Sequence, residues 1–396
     1  EVEDVRNKRA MLLCLVLILM LSLGIGAVSA IDSNDCHAME SNPRTKNVMK
    51  VLYLSAWYPT PRDAMAGLFV QKHAQAVEQQ GADVRVIYSE ARGLHWWKDI
   101  LLQWKALRHE WGMPDVVQMN VLDKNGIFAQ WLYHRYHIPY IIVEHWSGYL
   151  PANFSFRGGW HGYIMRHIAK QAACILPVSQ MLEDAMKKCG IQNNCWQRIH
   201  NVVDDFFYVA KEDRQKAKGE KIRFLHVSCF DEKAKNIQGM LRAVRQLATQ
   251  RQDFELVIVG TGVDYQLDTS YAHSLNFPEG ILHFTGEQTP QEVAEWMQQS
   301  DCFLFFSRYE NAPVVLSECL AIGLPIISSN AGGIPEMVNN ACGILVPSED
   351  ENALTQAMIH MMDHLTDYPA SIIRPYGQKY TYHNVGAHLH QLYSSL

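Results

Sequence analysis

The sequence predicts an α/β protein with two Rossmann-like domains that face each other. Short apolar strands alternate with helical segments in two successive runs, one before and one after the polar, charged stretch 211–221. Strands that alternate with helices form parallel sheets covered by helices. A chain of 396 residues is also long enough to divide into two hydrophobic cores. We therefore expect each run to form its own domain.

The elements follow from apolar runs that turn residues interrupt. The first run opens with a strand, a turn-rich loop and a helix over 68–80 that Gly81 ends. Its predicted strands are 50–55, 83–88, 115–120, 140–143 and 173–177. The predicted strands of the second run are 223–228, 255–260, 281–284, 302–306 and 325–329. The predicted domains are residues 49–210 and 211–375, followed by a helical segment over 376–396.

Charge and cysteine content exclude several classes of protein. The chain has 35 Lys and Arg residues against 41 Asp and Glu residues, a formal net charge of −6. No basic block of the kind that binds nucleic acid is present, so we expect no nucleic-acid partner. The nine cysteines are scattered, without a C-x-x-C pair. We therefore expect neither a zinc site nor a redox centre, and a reducing compartment.

The N-terminal segment does not match the rest of the chain. Residues 11–30 form an apolar run that follows basic residues and ends in Val28-Ser29-Ala30. This pattern is typical of a secretory signal or a signal anchor. Met49 directly precedes the first convincing strand. We therefore expect residues 1–48 to be a leader, an anchor or an extension foreign to the fold.

The most informative segment, 307–338, reads SRYENAPVVLSECLAIGLPIISSNAGGIPEMV. Glu310 and Glu318 have seven residues between them. Pro313 lies between the two glutamates, where a helix can begin because the proline φ is already set. The pattern predicts a helix over 314–322 that a glycine caps. Glu310 then precedes the helix, and Glu318 lies on it.

A glycine turn follows in the same segment. Gly332 and Gly333 come after the predicted strand 325–329 and precede Pro335, a second helix start. Glycines before a helix let backbone N–H groups approach an anion, and the helix dipole favours negative charge there. Two carboxylates and an anion-binding turn are the groups needed to hold a sugar, a ribose and a diphosphate.

This segment resembles the donor-site signature of retaining glycosyltransferases of family 4, which have the two-domain GT-B fold. The resemblance extends from Met49 onward. It implies an enzyme that moves a sugar from a nucleotide-diphosphate sugar to a glycan or lipid-linked glycan in cell-surface polysaccharide synthesis. The first domain would bind the acceptor, the second the donor, and the C-terminal helix would cross back to the first domain.

Other functions on this architecture stay open from the sequence. One alternative is another enzyme class, such as a sugar-nucleotide epimerase, and a second is a non-catalytic module that binds the donor. Because nucleotide sugars are cytosolic, we expect a cytoplasmic protein. The inner face of the membrane, or an anchored form through segment 11–30, is the alternative location.

The resemblance implies roles for the residues of the signature. Glu318 would accept hydrogen bonds from the ribose hydroxyls, since a carboxylate can accept two adjacent O–H donors. Glu310 would contact the transferred sugar first and stabilise charge second. Asn311, Ala312 and Pro313 would lie along the donor.

A diphosphate leaving group must be neutralised by a metal or by fixed cations. The sequence has no Asp-x-Asp element in a loop that would hold a metal, so we expect a metal-independent reaction without a cofactor. Segment 227–243 resembles the family's strand-loop-helix that carries an arginine and a lysine for the diphosphate. Lys235 matches the lysine. Cys229 stands at the arginine position, and Lys233 is the candidate that compensates.

Further candidates lie where strands end. Gly260 and Gly262 resemble the family's turn near the nucleotide, and Gly67 belongs to the loop that approaches the donor phosphate. His145 ends a buried strand, and strand C-termini in such sheets face the cleft. The resemblance places His145 near the sugar. The alternative is a structural histidine.

One segment predicts peripheral membrane contact. Trp97, Trp104 and Trp111 are seven residues apart, next to lysine and arginine. On a helix this spacing makes a tryptophan stripe beside cations, which suits a membrane interface. The alternative is that the tryptophans pack on the sheet of the first domain.

Overall fold

A computed structural model describes residues 48–61, 63, 65–209 and 220–396. The predicted leader 1–48 lies outside the described residues apart from Val48. The predicted linker 211–221 lies outside them apart from its last two residues.

The first domain is built on a parallel sheet of five strands in the order β2-β1-β3-β4-β5. Its strands are β1 (Lys50–Ser55), β2 (Asp83–Tyr88), β3 (Val116–Asn120), β4 (Tyr140–Glu144) and β5 (Cys174–Pro177). Its helices are α1 (Leu68–Glu78), α2 (Leu94–Trp111), α3 (Asn125–Tyr136), α4 (Gly159–Gln171) and α5 (Gln180–Lys188). Strands β3, β4 and β5 are buried along their whole length, as expected of parallel strands with helices on both faces.

The second domain has a parallel sheet of six strands in the order β11-β10-β9-β6-β7-β8. Its strands are β6 (Ile222–Val227), β7 (Phe254–Val259), β8 (Leu282–Gly286), β9 (Cys302–Phe305), β10 (Ile326–Ser329) and β11 (Gly343–Val346). Its helices are α6 (Glu232–Lys235), α7 (Ile237–Ala248), α8 (Tyr265–Ser274), α9 (Pro290–Gln299), α10 (Val314–Ile322), α11 (Glu351–Asp363) and α12 (Ala370–Ile373). The predicted α/β fold with two parallel sheets is confirmed.

The last helix returns to the first domain. After a 3-10 helix at Arg374–Tyr380, helix α13 (Tyr382–Ser394) packs along α1 and joins the hydrophobic core of the first domain. The Tyr393 hydroxyl is buried there, donates to the Gln118 side-chain oxygen and lies 3.2 Å from the Tyr53 hydroxyl. The predicted crossing helix is therefore confirmed.

Helix α2 does not present its tryptophans to a membrane. Trp104 and Trp111 are 4% and 7% exposed and belong to the core, while Trp97 is half-buried against it. The Trp111 indole N–H also donates to Asp83 Oδ2 at 2.6 Å. Residues seven apart share one face of a helix, and here that face covers the sheet. The predicted membrane-facing tryptophan stripe is wrong, and the alternative of packing on the sheet is confirmed.

Two of the scattered cysteines are paired. Cys174 in β5 forms a disulfide with Cys195, which lies 21 residues further along the chain. The segment that carries Cys195 runs beside β5, because the Ile175 N–H donates to the Cys195 carbonyl at 3.0 Å. The prediction of scattered, reduced cysteines is therefore wrong for this pair.

Among the described residues, no helix is both long and apolar enough to cross a bilayer.

Candidate active site

The candidate site lies where the carboxyl ends of the two parallel sheets meet. Two side chains connect the domains at this point. Asn311 Nδ2, after β9, donates to the His145 carbonyl, after β4, at 2.7 Å. Asn201 Nδ2 donates to the Ala312 carbonyl at 3.2 Å. The loop that precedes α10 is thus held against the first domain, in the crevice where α/β sheets bind ligands.

Glu310 and Lys235 form an ion pair inside this cleft. Lys235 Nζ lies 2.5 Å from Glu310 Oε1, and the two side chains are 15% and 12% exposed. Burial opposes the charged ammonium, but the charge and hydrogen bond of Glu310 outweigh burial, so the pKa of Lys235 is raised. The structure therefore brings together the two residues that the sequence predicted for the sugar and the diphosphate.

Helix α10 matches its prediction. It begins at Val314, directly after Pro313, and ends at Ile322, where Gly323 adopts a φ of 88°. Glu318 lies on the second turn of this helix. Burial raises the pKa of Glu318 to about 7, against the opposing charge of Lys72.

Lys72 is a site residue that the sequence reasoning missed. It lies on α1, is 8% exposed, and pairs with Asp204 Oδ2 at 2.8 Å. The charges of Lys72 and Asp204 both act on Glu318, so the three side chains are near one another. The signal that could have identified Lys72 in the sequence is its position one turn into the helix that follows the Gly67 loop.

The Gly332-Gly333 turn packs on the Glu310 loop, and its binding of an anion stays a prediction. The Gly333 N–H donates to the Glu310 carbonyl at 3.1 Å. A Cβ on Gly332 would lie 1.7 Å from the Glu310 carbonyl oxygen, and one on Gly333 would lie 1.9 Å from that of Asn311. Only a 3-10 helix, Ile334–Glu336, follows the turn. The glycines therefore let the turn pack on the backbone that carries Glu310.

The other predicted glycines also permit close backbone packing. Gly67 has a φ of 67°, and a Cβ there would lie 2.3 Å from the Trp57 carbonyl oxygen. Gly260 has a φ of 127°, and a Cβ there would lie 2.0 Å from the carbonyl oxygen of Ser228. A Cβ on Gly262 would lie 2.5 Å from the Phe230 nitrogen. Their contact with a donor stays a prediction.

The departure at the arginine position is visible in the structure. Cys229 and Lys233 are both exposed. The nearby Arg308 is not a substitute, because its guanidinium is bound by protein groups. It donates to Glu349 Oε1 at 2.8 Å and to Asn236 Oδ1 at 2.6 Å. Compensation by Lys233 for the missing arginine stays a prediction.

The His145 ring packs against α1 of the first domain. Its centroid lies 4.0 Å from that of Phe69 and 5.7 Å from that of His73. Burial, with a smaller contribution from His73, lowers the pKa of His145, so the ring is neutral. Among the described residues, Nε2 is buried without a hydrogen-bond partner. A ring in this state can donate to or accept from a ligand hydroxyl.

Glu144 positions His145 and its loop. The carboxylate is fully buried and accepts N–H bonds from His145, Trp146 and Leu122 at 2.9, 2.8 and 2.9 Å. Burial raises its pKa to about 7 although the three N–H bonds favour the charged form. Glu144 thus joins the loops after β3 and β4 at the edge of the cleft.

Two facing parallel sheets with this loop and helix between them define a two-domain glycosyltransferase architecture of the GT-B type. Two family models match the chain: Glycosyltransferase Family 4 over residues 66–205 and Glycosyl transferases group 1 over residues 221–364. One matched range lies in each domain. The chain belongs to the family 4 glycosyltransferases.

Curated relatives are similar to parts of the chain. N-acetyl-alpha-D-glucosaminyl L-malate synthase of Bacillus anthracis is 28% identical over 206 residues, which are 50% of this chain and 52% of that protein. The amylovoran biosynthesis glycosyltransferase AmsK of Erwinia amylovora is 32% identical over 150 residues, 36% of each protein. The chain thus spans about half or less of the length of these relatives.

Solved structures share the fold over most of the chain. Sucrose-phosphate synthase from Thermosynechococcus elongatus has a TM-score of 0.71 at 17% identity, covering 88% of this chain and 98% of that one. Anabaena HepE in complex with UDP-glucose has a TM-score of 0.68 at 17% identity, covering 88% of this chain and 100% of that one.

Proposed function

We propose that this protein is a retaining glycosyltransferase that moves a sugar from a nucleotide-diphosphate sugar to a glycan or lipid-linked glycan in cell-surface polysaccharide synthesis. The observation that carries the proposal is the Glu310–Lys235 pair in the cleft, with Asn311 bound to the His145 backbone across it. The amylovoran relative and the UDP-glucose complex of HepE support a nucleotide-sugar donor.

The Glu310–Lys235 pair suggests how the cleft binds a donor. When a diphosphate enters, the Lys235 ammonium exchanges Glu310 for a phosphate oxygen and neutralises the leaving group. Glu310 is then free to accept hydrogen bonds from the sugar hydroxyls. The bond between the anomeric carbon and the diphosphate breaks, the acceptor oxygen bonds to that carbon on the same face, and the acceptor proton leaves with the diphosphate. Glu318 holds the ribose.

The experiment measures release of nucleoside diphosphate from UDP-glucose, and from other nucleotide sugars that raise the melting temperature, with and without glycan acceptors. We expect acceptor-dependent release that persists in EDTA, because Lys235 supplies the cation. Loss of turnover in EDTA that magnesium or manganese restores would contradict metal independence. Conversion of the donor to an epimer without an acceptor would favour the epimerase alternative.

We further propose peripheral contact with the inner face of the membrane, through the outer face of α2. Leu94, Leu101 and Leu102 are 62%, 44% and 58% exposed. Lys98 and Lys105 are exposed on the same helix. Exposed leucines beside lysines suit an anionic lipid surface, and such a surface would present a lipid-linked acceptor.

A further inference from the structure

A second crevice lies between the domains, beside the 3-10 helix Arg374–Tyr380 through which the chain returns to the first domain. Its volume is about 770 Å³, within the usual range for small-molecule sites. Segment 196–201 of the first domain, Gly333 and Glu336 of the second domain, and Lys379 of the returning segment contribute to its lining. Ala312 and Gly333 of the predicted donor segment line it, whereas Glu310, Glu318 and Lys235 do not. The crevice is therefore separate from the Glu310–Lys235 pair.

Basic side chains cluster in this crevice: Arg198, His200, Lys379 and His388. Burial lowers the pKa of His200 to about 4, and the charges of Lys379, His388 and Arg198 add to the shift. Lys379, His388 and Arg198 therefore all lie near the His200 ring. Lys379 is half-buried, and burial together with Arg198 lowers its pKa. In the part of the chain that the structure describes, Lys379 forms no ion pair.

The acidic residues that line the crevice are compensated by groups of α5. Glu183 pairs with Lys187 at 2.5 Å. Glu336 accepts the N–H groups of Gln180 and Met181, the first two residues of α5, at 2.7 and 2.9 Å. Arg198 lies only 3.8 Å from Glu336, a long contact that leaves its remaining donors available. The cations Arg198 and Lys379 therefore favour an anion in the crevice.

One buried acceptor also lacks a partner there. Asn201 lines the crevice and is 6% exposed. Its Nδ2 donates to the Ala312 carbonyl, whereas its Oδ1 is buried without a partner among the described residues. Buried polar atoms are nearly always hydrogen-bonded. A ligand hydroxyl that donates to this oxygen would satisfy it.

We propose that the crevice is a second ligand site, which binds a small phosphorylated molecule with hydroxyl groups, such as a sugar phosphate. The phosphate contacts Arg198 and Lys379, and a hydroxyl donates to Asn201 Oδ1. Because the lining comes from both domains, the bound molecule favours the arrangement in which the domains are in contact. The proposal does not depend on the transferase reaction.

Isothermal titration with glucose 6-phosphate and with inorganic phosphate tests the proposal on the full chain. We expect glucose 6-phosphate to bind more tightly than inorganic phosphate, since the sugar phosphate has hydroxyl groups besides its phosphate, one of which can donate to Asn201. The double variant Arg198→Gln/Lys379→Gln should weaken glucose 6-phosphate binding at least about tenfold, because each lost charge-assisted hydrogen bond has this order of effect.

Two matched variants identify the site of binding. Lys235→Gln removes the cation of the candidate donor site, and Lys105→Gln removes an exposed lysine of α2. Neither should change the affinity for glucose 6-phosphate. Loss of binding in Lys235→Gln alone would place the ligand in the donor site and overturn the proposal. Affinity that none of the variants changes, or binding no tighter than that of inorganic phosphate, would also overturn it.

The single variant Lys379→Gln keeps the test valid if the double variant unfolds. Lys379 forms no ion pair among the described residues, so its replacement should leave the melting temperature unchanged. We expect this variant alone to weaken glucose 6-phosphate binding several-fold. A folded Lys379→Gln protein with unchanged affinity would contradict the proposal.

Discussion

Lys235 and Glu310 bind each other at 2.5 Å, so each must change partner when a donor enters the cleft. The neighbouring Lys233 offers a comparison, because it lies on the same short helix, α6, but is exposed. If neutralisation of the leaving group depends on a buried, oriented cation, the two lysines should differ strongly in their effect on turnover.

We predict that Lys235→Ala lowers kcat by about 100-fold or more, the usual cost of removing an oriented group that stabilises developing charge. Lys233→Ala should change kcat only slightly. Initial rates of nucleoside diphosphate release at saturating donor measure both. Equal losses in the two variants would instead support the role of Lys233 as the substitute for the arginine replaced by Cys229.

Glu318 predicts a dependence of donor binding on pH. Its pKa is raised to about 7 in the folded protein from an ordinary value of 4.5. The ionised carboxylate accepts hydrogen bonds from ribose hydroxyls more strongly than the neutral acid. The affinity for UDP-glucose, whose doubly esterified diphosphate does not titrate near neutral pH, should therefore increase as the pH rises through about 7. Titration calorimetry from pH 6 to 8 checks this, and Glu318→Gln should bind weakly with no such dependence.

The same shift has the opposite effect on stability. A carboxyl with a raised folded pKa contributes stability that is fully present below the unfolded value and is lost as the pH rises through the folded value. Ionisation of Glu318 between pH 4.5 and about 7 thus costs stability while it improves donor binding. If the pH dependence of UDP-glucose affinity persisted in Glu318→Gln, another group, such as Glu144, would be responsible.

Among the elements, α5 and the 3-10 helix Ile334–Glu336 form a polar contact between the domains. Glu336 occupies the place of a capping group for a helix in the other domain, since the first N–H groups of α5 donate to its carboxylate. We predict that Glu336→Ala lowers the free energy of unfolding by about 1–2 kcal/mol.

Urea unfolding measures this loss. Glu295→Ala, which changes an exposed glutamate of α9, is the matched control and should have almost no effect. Small-angle scattering should also show a larger radius of gyration for Glu336→Ala, because a contact between the domains is lost. An unchanged radius of gyration together with unchanged stability would show that the contact does not hold the domains together.

The outer face of α2 predicts salt-sensitive binding to lipid. The protein should co-sediment with anionic vesicles at low salt, since each lysine near the surface contributes about 1 kcal/mol. Lys98→Gln with Lys105→Gln should reduce the bound fraction without lowering the melting temperature. Trp104→Ala, by contrast, should cost about 3–5 kcal/mol of stability because this side chain is in the core. Vesicle binding that neither high salt nor replacement of both lysines reduces would contradict the proposed membrane contact.

For the whole molecule, the sequence predicted correctly those elements whose bounds depend on residues that are neighbours in the chain. Strand β1 has the predicted bounds, and α10 does too, because Pro313 and Gly323 specify its ends. Strand β11 (Gly343–Val346) was not predicted, since its four residues are identified only by their pairing with β10.

In the candidate site, too, residues in local motifs were predicted and contacts between distant residues were not. Glu310, Lys235 and His145 were recognisable from motifs and strand ends. The ion pair of Lys72 with Asp204 was not, because it joins residues 132 positions apart that the fold alone brings together. The disulfide between Cys174 and Cys195 was missed for a similar reason. The packing role of Gly332 and Gly333 depends on the Glu310 backbone, which no local pattern specifies.

The return of α13 has a consequence for how the protein is made on the ribosome. Leu389, Leu392 and Tyr393 belong to the core of the first domain, although they are translated after the whole second domain. Domains generally fold in the order in which they are synthesised. Here the core of the first domain stays incomplete, with an apolar groove along α1 exposed, until α13 has left the exit tunnel. During that interval the nascent chain presents a surface that a chaperone can bind.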